Sequence, residues 1–494
     1  MIVVSFTLLA AGLRFWSIGH QSFWYDEAYT VLLVHHSPGK MLGLLPQVEL
    51  TPPLYYLIAW VWARIFGFGE AGLRSLSAVA GVAVVPAIYA VGAKLISRRA
   101  GLVAAALAAC NPLLIWYSQE ARSYSLLVLF ATLSLLAFSS LLSPRPSRRW
   151  LVAWGLAAGL TLATHYYGVL AVAPQAAWLL WVHRRRRAVW VAIAAVAVFG
   201  LALLPIAVSQ RTRATWIAGW PLHQRLGQIA PQYLLGTGAP VRGWLKLAGA
   251  AAVLVAAALL ALRADARERH GALLAGGLAA TGFLLSLVLV LAGVDELITR
   301  NLIVILIPLI MLVAGGLGAR RGGVLGLAAA ATLCTVGLVA TIGVAVDWKL
   351  QRPNWRDLAR TLGSSRPPRA GRAILLQNNT GLMPLGVYIP GLRFIHGGAV
   401  VQELDVVAQA GGPPNSWFCW WGSTCNLSPS RLDTSIHLGS FHRDGPVLRV
   451  GEFSILRLRA TNTTRLTPKD ISRAFRKTRL RRDAFLLQPP VQAH

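Results

Sequence analysis

Residues 122–142, RSYSLLVLFATLSLLAFSSLL, form an apolar run long enough to cross a lipid bilayer as an α-helix. Comparable runs of about 18 or more residues recur from Met1 to about Val346. Hydrophobic residues make up 55% of the 494-residue chain, charged residues make up 13%, and the mean hydropathy is +0.57. An average soluble domain carries about twice this charged fraction. The pattern therefore predicts an α-helical polytopic membrane protein.

The apolar runs predict about 11–13 transmembrane helices within residues 1–346. The candidate spans are residues 1–18, 51–67, 73–96, 100–117, 122–142, 150–165, 166–183, 188–209, 244–262, 271–292, 299–319 and 323–346. Because Met1–Leu13 has neither a basic start nor a small-residue cleavage site, we interpret it as a retained span. Two connections are long, residues 19–50 and 210–243.

From Asp347 to His494 the composition becomes polar and rich in proline, glycine and arginine, which predicts a small separate α/β domain. Residues 354–364 predict a short helix, and residues 372–377 and 453–460 predict strands. Residues 467–482 predict a basic helix, which is either solvated or attached to anionic lipid head groups.

The net charge of +29, from 47 basic and 18 acidic residues, is compatible with nucleic acid as a partner. The basic residues, however, cluster between the apolar runs, as in cytoplasmic loops held against anionic lipid. The clusters are Arg98-Arg99, Arg145/Arg148/Arg149, Arg184–Arg187, Arg263/Arg267/Arg269 and Arg320-Arg321. The pattern favours membrane lipids over nucleic acid, and predicts a multi-pass protein of the cytoplasmic membrane with residues 210–243 and the C-terminal domain outside.

Charge counting conflicts with the chemistry expected of residues 19–50. Two crossings between Thr51 and Arg99 place residues 19–50 inside, whereas an extracytoplasmic first loop needs an odd number. A re-entrant segment, or a further break at Gly67–Gly72 or Gly81, reconciles the two.

Four cysteines divide into two groups. Cys110 and Cys334 lie in apolar runs and are predicted to be small core residues. Cys419 and Cys425 lie in the polar C-terminal part, where an extracytoplasmic location permits, but does not require, a disulfide. The neighbouring Trp417, Trp420 and Trp421 are either a strand edge or a glycan contact.

Carboxylates are rare in the first 210 residues, and each is costly at a membrane. They are Asp26, Glu27, Glu49, Glu70 and Glu120. Asp26 and Glu27 are adjacent in the first loop, and Glu49 directly precedes the second apolar run. Such a loop suits a general base, a bound cation or a sugar hydroxyl, while the alternative is a pair of interfacial acids that cap helices.

Aromatic residues crowd the same loop, including Tyr25, Tyr29 and Tyr55. They are typical of an interfacial belt, yet beside carboxylates they also suit a sugar ring. Three further groups lie at span ends. These are Glu120 with Arg122, His165 in THYYG, and Arg300, and each is either an interface anchor or a ligand to substrate, with Arg300 a candidate for phosphate.

Several catalytic signatures are missing from the sequence. It contains no G-x-x-x-x-G-K-[ST], H-E-x-x-H, paired C-x-x-C or G-x-S-x-G motif. Nucleotide hydrolysis and standard zinc chemistry are therefore disfavoured.

Three stretches together resemble a known family: WYDEAYT (24–30), ELTPPLYYLIAWVWARIFGFGEAGLRSLSAVAG (49–81) and RRAGLVAAALAACNPLLIWYSQEARSYSLLVLF (98–130). They are similar to the GT-C membrane glycosyltransferases, in particular bacterial members related to protein O-mannosyltransferases and the aminoarabinose transferase of lipid A. THYYGVL, TRNLIVILIPLIML and DWKLQRPNWRDLARTL fit more loosely.

The resemblance implies an enzyme that transfers a sugar from a polyprenyl-phosphate carrier, outside the cytoplasmic membrane, with inversion. Residues 1–346 are then the catalytic domain, and the acceptor is a glycan, a lipid or a protein. Asp26 corresponds to the general base and Glu27 positions donor or acceptor. The substrate-binding candidates are Tyr25, Tyr29, Glu49, Tyr55, Glu120, Arg122, His165 and Arg300.

Within this set, Arg122 and Arg300 are the candidates for neutralising the leaving phosphate. Thr51 stands where the family frequently has His or Lys. The family implies no metal cofactor, although three carboxylates near one another could hold a divalent cation.

Two other functional classes remain open. A transporter or flippase of lipid-linked saccharides would use the acids as a substrate or proton site, but no second copy of the first-loop motif is present. A non-catalytic relative would only bind lipid carriers. The long polar C-terminal part suits an enzyme better.

Overall fold

The computed structural model describes residues 1–363, 371–376, 381–409, 438–474 and 484–489. The chain forms two compact units. The first, which we call the helical unit, comprises Met1–Gly19 and Leu33–Gly343. The second, which we call the C-terminal unit, comprises His20–Leu32 and Val344–His494. Part of the first loop therefore groups with the C-terminal residues.

Eighteen α-helices precede the C-terminal residues in the described chain. They are α1 (Ile2–Phe15), α2 (Tyr25–His35), α3 (Pro38–Val48), α4 (Leu54–Phe66), α5 (Glu70–Leu95), α6 (Arg98–Cys110), α7 (Pro112–Ser118), α8 (Tyr124–Leu141), α9 (Arg148–Thr164), α10 (Val169–Val182), α11 (Arg187–Ala202), α12 (Leu204–Gln210), α13 (Thr215–Ala218), α14 (Leu222–Leu235), α15 (Arg242–Leu262), α16 (Ala266–Leu291), α17 (Ile303–Leu317) and α18 (Gly323–Val346). The long connections predicted at residues 19–50 and 210–243 thus contain short helices.

Seven helical segments within the described residues are long and apolar enough to cross a membrane. They are Glu70–Leu95, Tyr124–Leu141, Arg187–Gln210, Arg242–Leu262, Ala266–Leu291, Thr299–Leu317 and Arg320–Val346. Shorter apolar helices cover Ile2–Phe15, Leu54–Phe66 and Tyr166–Val182. The polytopic helical architecture predicted from the apolar runs is confirmed.

The predicted span 100–117 is divided into α6 and α7, which meet at an angle of 56°. Asn111 separates them, and its side-chain oxygen accepts a hydrogen bond from the Leu114 amide at 3.0 Å. Pro112 follows at the first position of α7. Because proline has no N–H and its ring clashes with the preceding turn, α6 ends here and a new helix begins.

Turns near the basic clusters contact one another in pairs. The Arg99 guanidinium donates to the carbonyl of Gly323 at 2.9 Å, which joins the turn after α5 to the start of α18. The ring Nε2 of His183 contacts the Leu141 carbonyl at 2.7 Å, which joins the turn after α10 to the end of α8. The basic clusters separated in sequence are thus gathered in pairs.

Helix α4 is shorter than the span predicted at residues 51–67. Its 13 residues extend only about 20 Å, less than the hydrocarbon core of about 30 Å. Near its start, the Tyr56 hydroxyl accepts from Arg122, and Ser77 in α5 donates to the Arg122 carbonyl. Near its end, Arg64 donates to the carbonyl of Val34. The chain therefore leaves and re-enters the same end of the helical unit between Tyr56 and Ser77.

Two cysteines lie in or against the apolar core of the helical unit. Cys110 is buried within this core, and Cys334 is partly buried against it. Both act as small packing residues, as predicted. Cys419, Cys425 and the tryptophans beside them lie outside the described residues.

The C-terminal unit contains a seven-stranded mixed sheet among its described residues. The strands are β1 (Gly371–Leu376), β2 (Arg393–Phe394), β3 (Ala399–Gln409), β4 (Phe441–Arg443), β5 (Leu448–Val450), β6 (Phe453–Leu466) and β7 (Ala484–Gln488), with helices α19 (Trp355–Leu362), α20 (Leu382–Tyr388) and α21 (Pro468–Ala474). Their order is β2-β7-β1-β3-β6-β4, with β5 pairing with β6. Among the strands of the described residues, only β1 and β3 pair in parallel.

The sheet confirms the predicted α/β character, because α19, β1 and β6 fall on the segments predicted as a helix and two strands. One apolar core, with Trp355, Leu358 and Leu385, packs α19 and α20 against β1. The predicted basic helix 467–482 begins as α21, and its residues 475–482 lie outside the described residues.

Candidate active site

The two acids of the first loop lie in the first turn of α2. This position is favourable for Asp26 and Glu27, since the helix dipole stabilises negative charge at the N-terminus. Glu27 is fully buried, and its carboxylate accepts from the Trp24 backbone amide at 3.4 Å. Asp26 is half-buried, so the residue predicted as the base keeps an accessible surface.

Tyr25 and Tyr29 lie one helical turn apart on α2, which places their side chains on one face. Their hydroxyl oxygens are 3.1 Å apart, and the rings meet edge to face with centroids 5.2 Å apart. Asp26 and Glu27 lie between them in sequence. The predicted first-loop residues therefore form one compact group.

A second group is centred on Arg122 in the helical unit. The Arg122 guanidinium makes a bidentate pair with the Glu49 carboxylate, with Nη2 at 2.8 Å from Oε2. It also donates to the Tyr56 hydroxyl at 3.1 Å, and Thr51 donates to that hydroxyl at 3.4 Å. Both charged side chains are less than 10% exposed, so the pair is strongly oriented.

Tyr55 and Glu120 border the Arg122 group. Tyr55 is fully buried, and its ring meets the Tyr56 ring edge to face at 5.2 Å. Glu120 is also fully buried, and its backbone carbonyl accepts from the Arg122 amide at 2.8 Å. The tight turn between α7 and α8 thus sets the position of both Glu120 and Arg122.

His165 follows α9 at the same end of the helical unit. Its Nδ1 accepts from the Tyr167 backbone amide at 3.2 Å, and its ring lies 5.6 Å from the Tyr124 ring. It lies within electrostatic reach of both Arg122 and Arg300.

Arg300 belongs to a single 3-10 turn, Thr299–Leu302, that precedes α17. Its guanidinium carbon is 5.7 Å from the centre of the Trp216 ring, a cation–π distance. Burial raises the pKa of the nearby Glu296 carboxyl to about 7, and Asp295 adds to this rise while Arg300 opposes it. The segment is a mixed patch of a cation, an aromatic ring and carboxyl groups.

Three residues of this end were missed by the sequence analysis as site candidates: Tyr56, Tyr166 and Gln210. Tyr166 donates to the Gln210 side-chain oxygen at 2.8 Å, and Gln210 donates to the Thr51 carbonyl at 3.3 Å. Each is a polar residue at the end of an apolar helix, and that position is the signal that could have identified it.

In the helical unit the structure brings Glu49, Tyr55, Glu120 and Arg122 together, with His165 in reach of Arg122 and Arg300. Asp26, Glu27, Tyr25 and Tyr29 form their own group in the C-terminal unit. Within the described ranges, no group of three or more His, Cys, Asp or Glu side chains has the geometry to hold a metal ion. Both oxygens of Glu49 are engaged by Arg122.

The sequence profile of the family described as dolichyl-phosphate-mannose-protein mannosyltransferase matches residues 51–209. No curated protein gives a significant sequence match. ArnT from Cupriavidus metallidurans bound to undecaprenyl phosphate has a TM-score of 0.51 at 15% identity, over 92% of this chain and 97% of ArnT. The apo state of ArnT gives a TM-score of 0.52 at 13% identity with the same coverage.

The oligosaccharyltransferase of Archaeoglobus fulgidus, in complex with Zn and sulfate, gives a TM-score of 0.44 at 14% identity. The alignment covers 74% of this chain and 56% of the archaeal chain, so this protein spans little more than half of that relative. The family profile covers residues 51–209, and the ArnT structures share the fold of nearly the whole chain. The chain is a polytopic membrane protein with the GT-C fold of the ArnT structures.

Proposed function

We propose that the protein transfers a sugar from a polyprenyl-phosphate-linked donor to an extracytoplasmic glycan, lipid or protein acceptor, with inversion at the anomeric carbon. The observation that carries the proposal is the Asp26-Glu27 pair in the first turn of α2, on a chain with the ArnT fold. The ArnT structure contains undecaprenyl phosphate, which supports a polyprenyl-phosphate donor.

In the proposed reaction Asp26 accepts the proton of the acceptor hydroxyl. The acceptor oxygen then bonds to the anomeric carbon from the face opposite the phosphate. The bond from that carbon to the phosphate oxygen breaks, and the electron pair leaves with the polyprenyl phosphate. Glu27, held by the Trp24 amide, keeps the first turn of α2 in place and orients donor or acceptor.

The leaving phosphate needs positive charge, and Arg122 and Arg300 supply it in this proposal. The Arg122 charge is compensated by Glu49, so Arg122 contributes orientation as well as charge. Arg300 lies against the Trp216 ring, and we propose that it binds the leaving phosphate together with Arg122. Tyr25, Tyr29 and Tyr55 offer ring faces and hydroxyls to the sugar.

We further propose that residues 19–50 are extracytoplasmic and that the reaction faces outward from the cytoplasmic membrane. In this proposal the chain leaves and re-enters one end of the helical unit between Tyr56 and Ser77, which both contact Arg122, so that α5 alone crosses the membrane between Thr51 and Arg99. The basic turns then lie inside and Arg122 lies outside, in accord with the positive-inside rule. This removes the conflict that charge counting raised for the first loop.

Transfer of labelled sugar from a synthetic polyprenyl-phosphate donor tests the function. We expect Asp26→Asn to abolish turnover, because the amide cannot accept the proton. The temperature of thermal unfolding should be the same as for the wild type, which shows that the variant is folded. Glu70→Gln is the matched control, since Glu70 also lies in the first turn of a helix. Full turnover by Asp26→Asn would exclude the base assignment. Movement of intact donor across vesicles without transfer would favour a flippase.

Cysteine labelling tests the orientation. In a background that lacks the four native cysteines, Lys40→Cys and Phe66→Cys should react with a membrane-impermeant thiol reagent from outside. Arg185→Cys, in an exposed basic turn, should react only after permeabilisation. Protection of residue 66 with labelling of residue 40 would show that α4 crosses the membrane.

A further inference from the structure

Within the C-terminal unit, the residues that lead into α2 are bound by residues that follow Gln351. Ser22 is buried, and its hydroxyl donates to the Pro353 carbonyl at 2.8 Å. The same hydroxyl accepts from the Trp355 backbone amide at 3.0 Å. One side chain of the first loop therefore bridges two backbone groups at the start of α19.

Three more hydrogen bonds follow the same stretch. The Tyr388 hydroxyl accepts from the Phe23 backbone amide at 2.7 Å. The Arg352 amide donates to the Gln21 side-chain oxygen at 3.0 Å, and Arg356 donates to the His20 carbonyl at 2.6 Å. Each residue from His20 to Phe23 thus has a hydrogen bond to residues beyond Gln351.

The supporting residues belong to a packed core. Trp355 is 4% exposed, and its ring centroid lies 4.8 Å from that of Phe453 in β6. Tyr388 ends α20, which packs in the same core. Phe23 and Trp24 are themselves buried. The stretch that precedes Asp26 is therefore anchored to a sheet domain and not to a solvated tail.

We propose that the part of the C-terminal unit beyond Gln351 positions the acidic first turn of α2. In this proposal Ser22 and Tyr388 are positioning residues for Asp26. This inference rests on the proposed function. Asp26 lies four residues after Ser22 and three residues after Phe23. Because a displacement of about 1 Å at a reacting group can lower a rate about a hundredfold, small changes at these anchors should reach the base.

Two variants of the full-length protein test the proposal, Ser22→Ala and Tyr388→Phe. Ser22→Ala removes the hydroxyl that bonds to Pro353 and Trp355, and Tyr388→Phe removes the hydroxyl that bonds to Phe23. Both variants leave the apolar packing in place. The control is Ser440→Ala, which removes an exposed hydroxyl contact to Thr464 at 3.0 Å in the same unit. Ser22→Thr retains the hydroxyl and should restore what Ser22→Ala loses.

We expect about a tenfold lower kcat for each variant with an unchanged KM for the donor, since about 1.4 kcal/mol corresponds to tenfold. Hydrogen exchange of residues 22–30 should be faster in both variants and unchanged in Ser440→Ala. Unchanged exchange at residues 22–30 would overturn the proposal, as would faster exchange with full kcat. Absence of transfer by the wild type would refute the proposed function, while the exchange result would still decide whether the anchors order α2.

Discussion

Two buried arginines of the helical unit, Arg14 and Arg122, are stabilised in opposite ways. Arg122 pairs with a carboxylate and a tyrosine hydroxyl. Arg14 is fully buried, and it donates to the carbonyls of Ala108 and Ala109 at 3.0 and 3.1 Å and to the Ser118 hydroxyl at 3.2 Å. Among the described residues, no carboxylate forms an ion pair with Arg14. One arginine is compensated by charge and the other by backbone dipoles.

The bend between α6 and α7 explains the acceptors of Arg14. In an unbroken helix the amide of residue 112 would donate to the Ala108 carbonyl, but Pro112 has no N–H. Arg14 supplies a donor to that carbonyl and to the next one. It therefore stabilises the bend that leads into the Glu120–Arg122 turn. Arg14 thus supports the backbone through its carbonyl partners, whereas Arg122 lies in the candidate site and pairs with a carboxylate.

The largest effect is expected at Arg122. Arg122→Gln should lower transfer about a hundredfold or more, and should destabilise the fold by about 3–5 kcal/mol because the buried Glu49 loses its partner. Pairing it with Glu49→Gln should restore stability but not transfer. Thermal unfolding and donor turnover in the double-variant cycle measure the two effects separately. Restored transfer in the double variant would contradict a role for Arg122 in the reaction.

A somewhat smaller effect, on stability alone, is expected at Arg14. Arg14→Met leaves the Ala108 and Ala109 carbonyls without this donor, at a cost of about 1–3 kcal/mol for each unsatisfied group. Adding Pro112→Ala should recover part of the loss, because it returns an N–H to Ala108. Thermal unfolding in detergent checks both variants. Equal unfolding temperatures for Arg14→Met and the double variant would show that the bend is not what Arg14 stabilises.

The smallest effect extends the comparison to the C-terminal unit. The Glu452 carboxylate accepts from the Asn354 amide at 2.9 Å, and its burial raises its pKa to about 7. The folded protein therefore keeps a proton on Glu452 that the unfolded chain releases near pH 4.5. The stability due to this group falls as the pH rises from about 4.5 to about 7.

Glu452→Gln should remove this dependence, so the variant should lose less stability than the wild type over that pH range. Chemical denaturation at pH 5 and pH 7.5 measures the difference. A wild type and variant that change in parallel would show that Glu452 does not titrate in this range.

Parts of the candidate site were predictable from sequence because their signals are local. The adjacent acids of the first loop stand out in an acid-poor region, and Arg122 and Arg300 lie at the ends of apolar runs. Tyr56 and Gln210 were missed because their only signal, a polar residue at the end of an apolar helix, is shared by many residues that are not in the candidate site. Their role depends on Arg122 and Thr51, which lie 66 and 159 residues away in the chain.

The sequence by itself determined the membrane class, the α/β character of the C-terminal residues, the basic turns and the acidic first-loop motif, because hydropathy and charge act over short stretches. The tertiary structure decided that Tyr56 and Ser77 both contact Arg122, that Glu49 pairs with Arg122, and that residues 20–23 bind residues 352–356 and Tyr388. These outcomes depend on which distant groups packing brings together, since each buried polar group needs a partner that the local sequence does not supply.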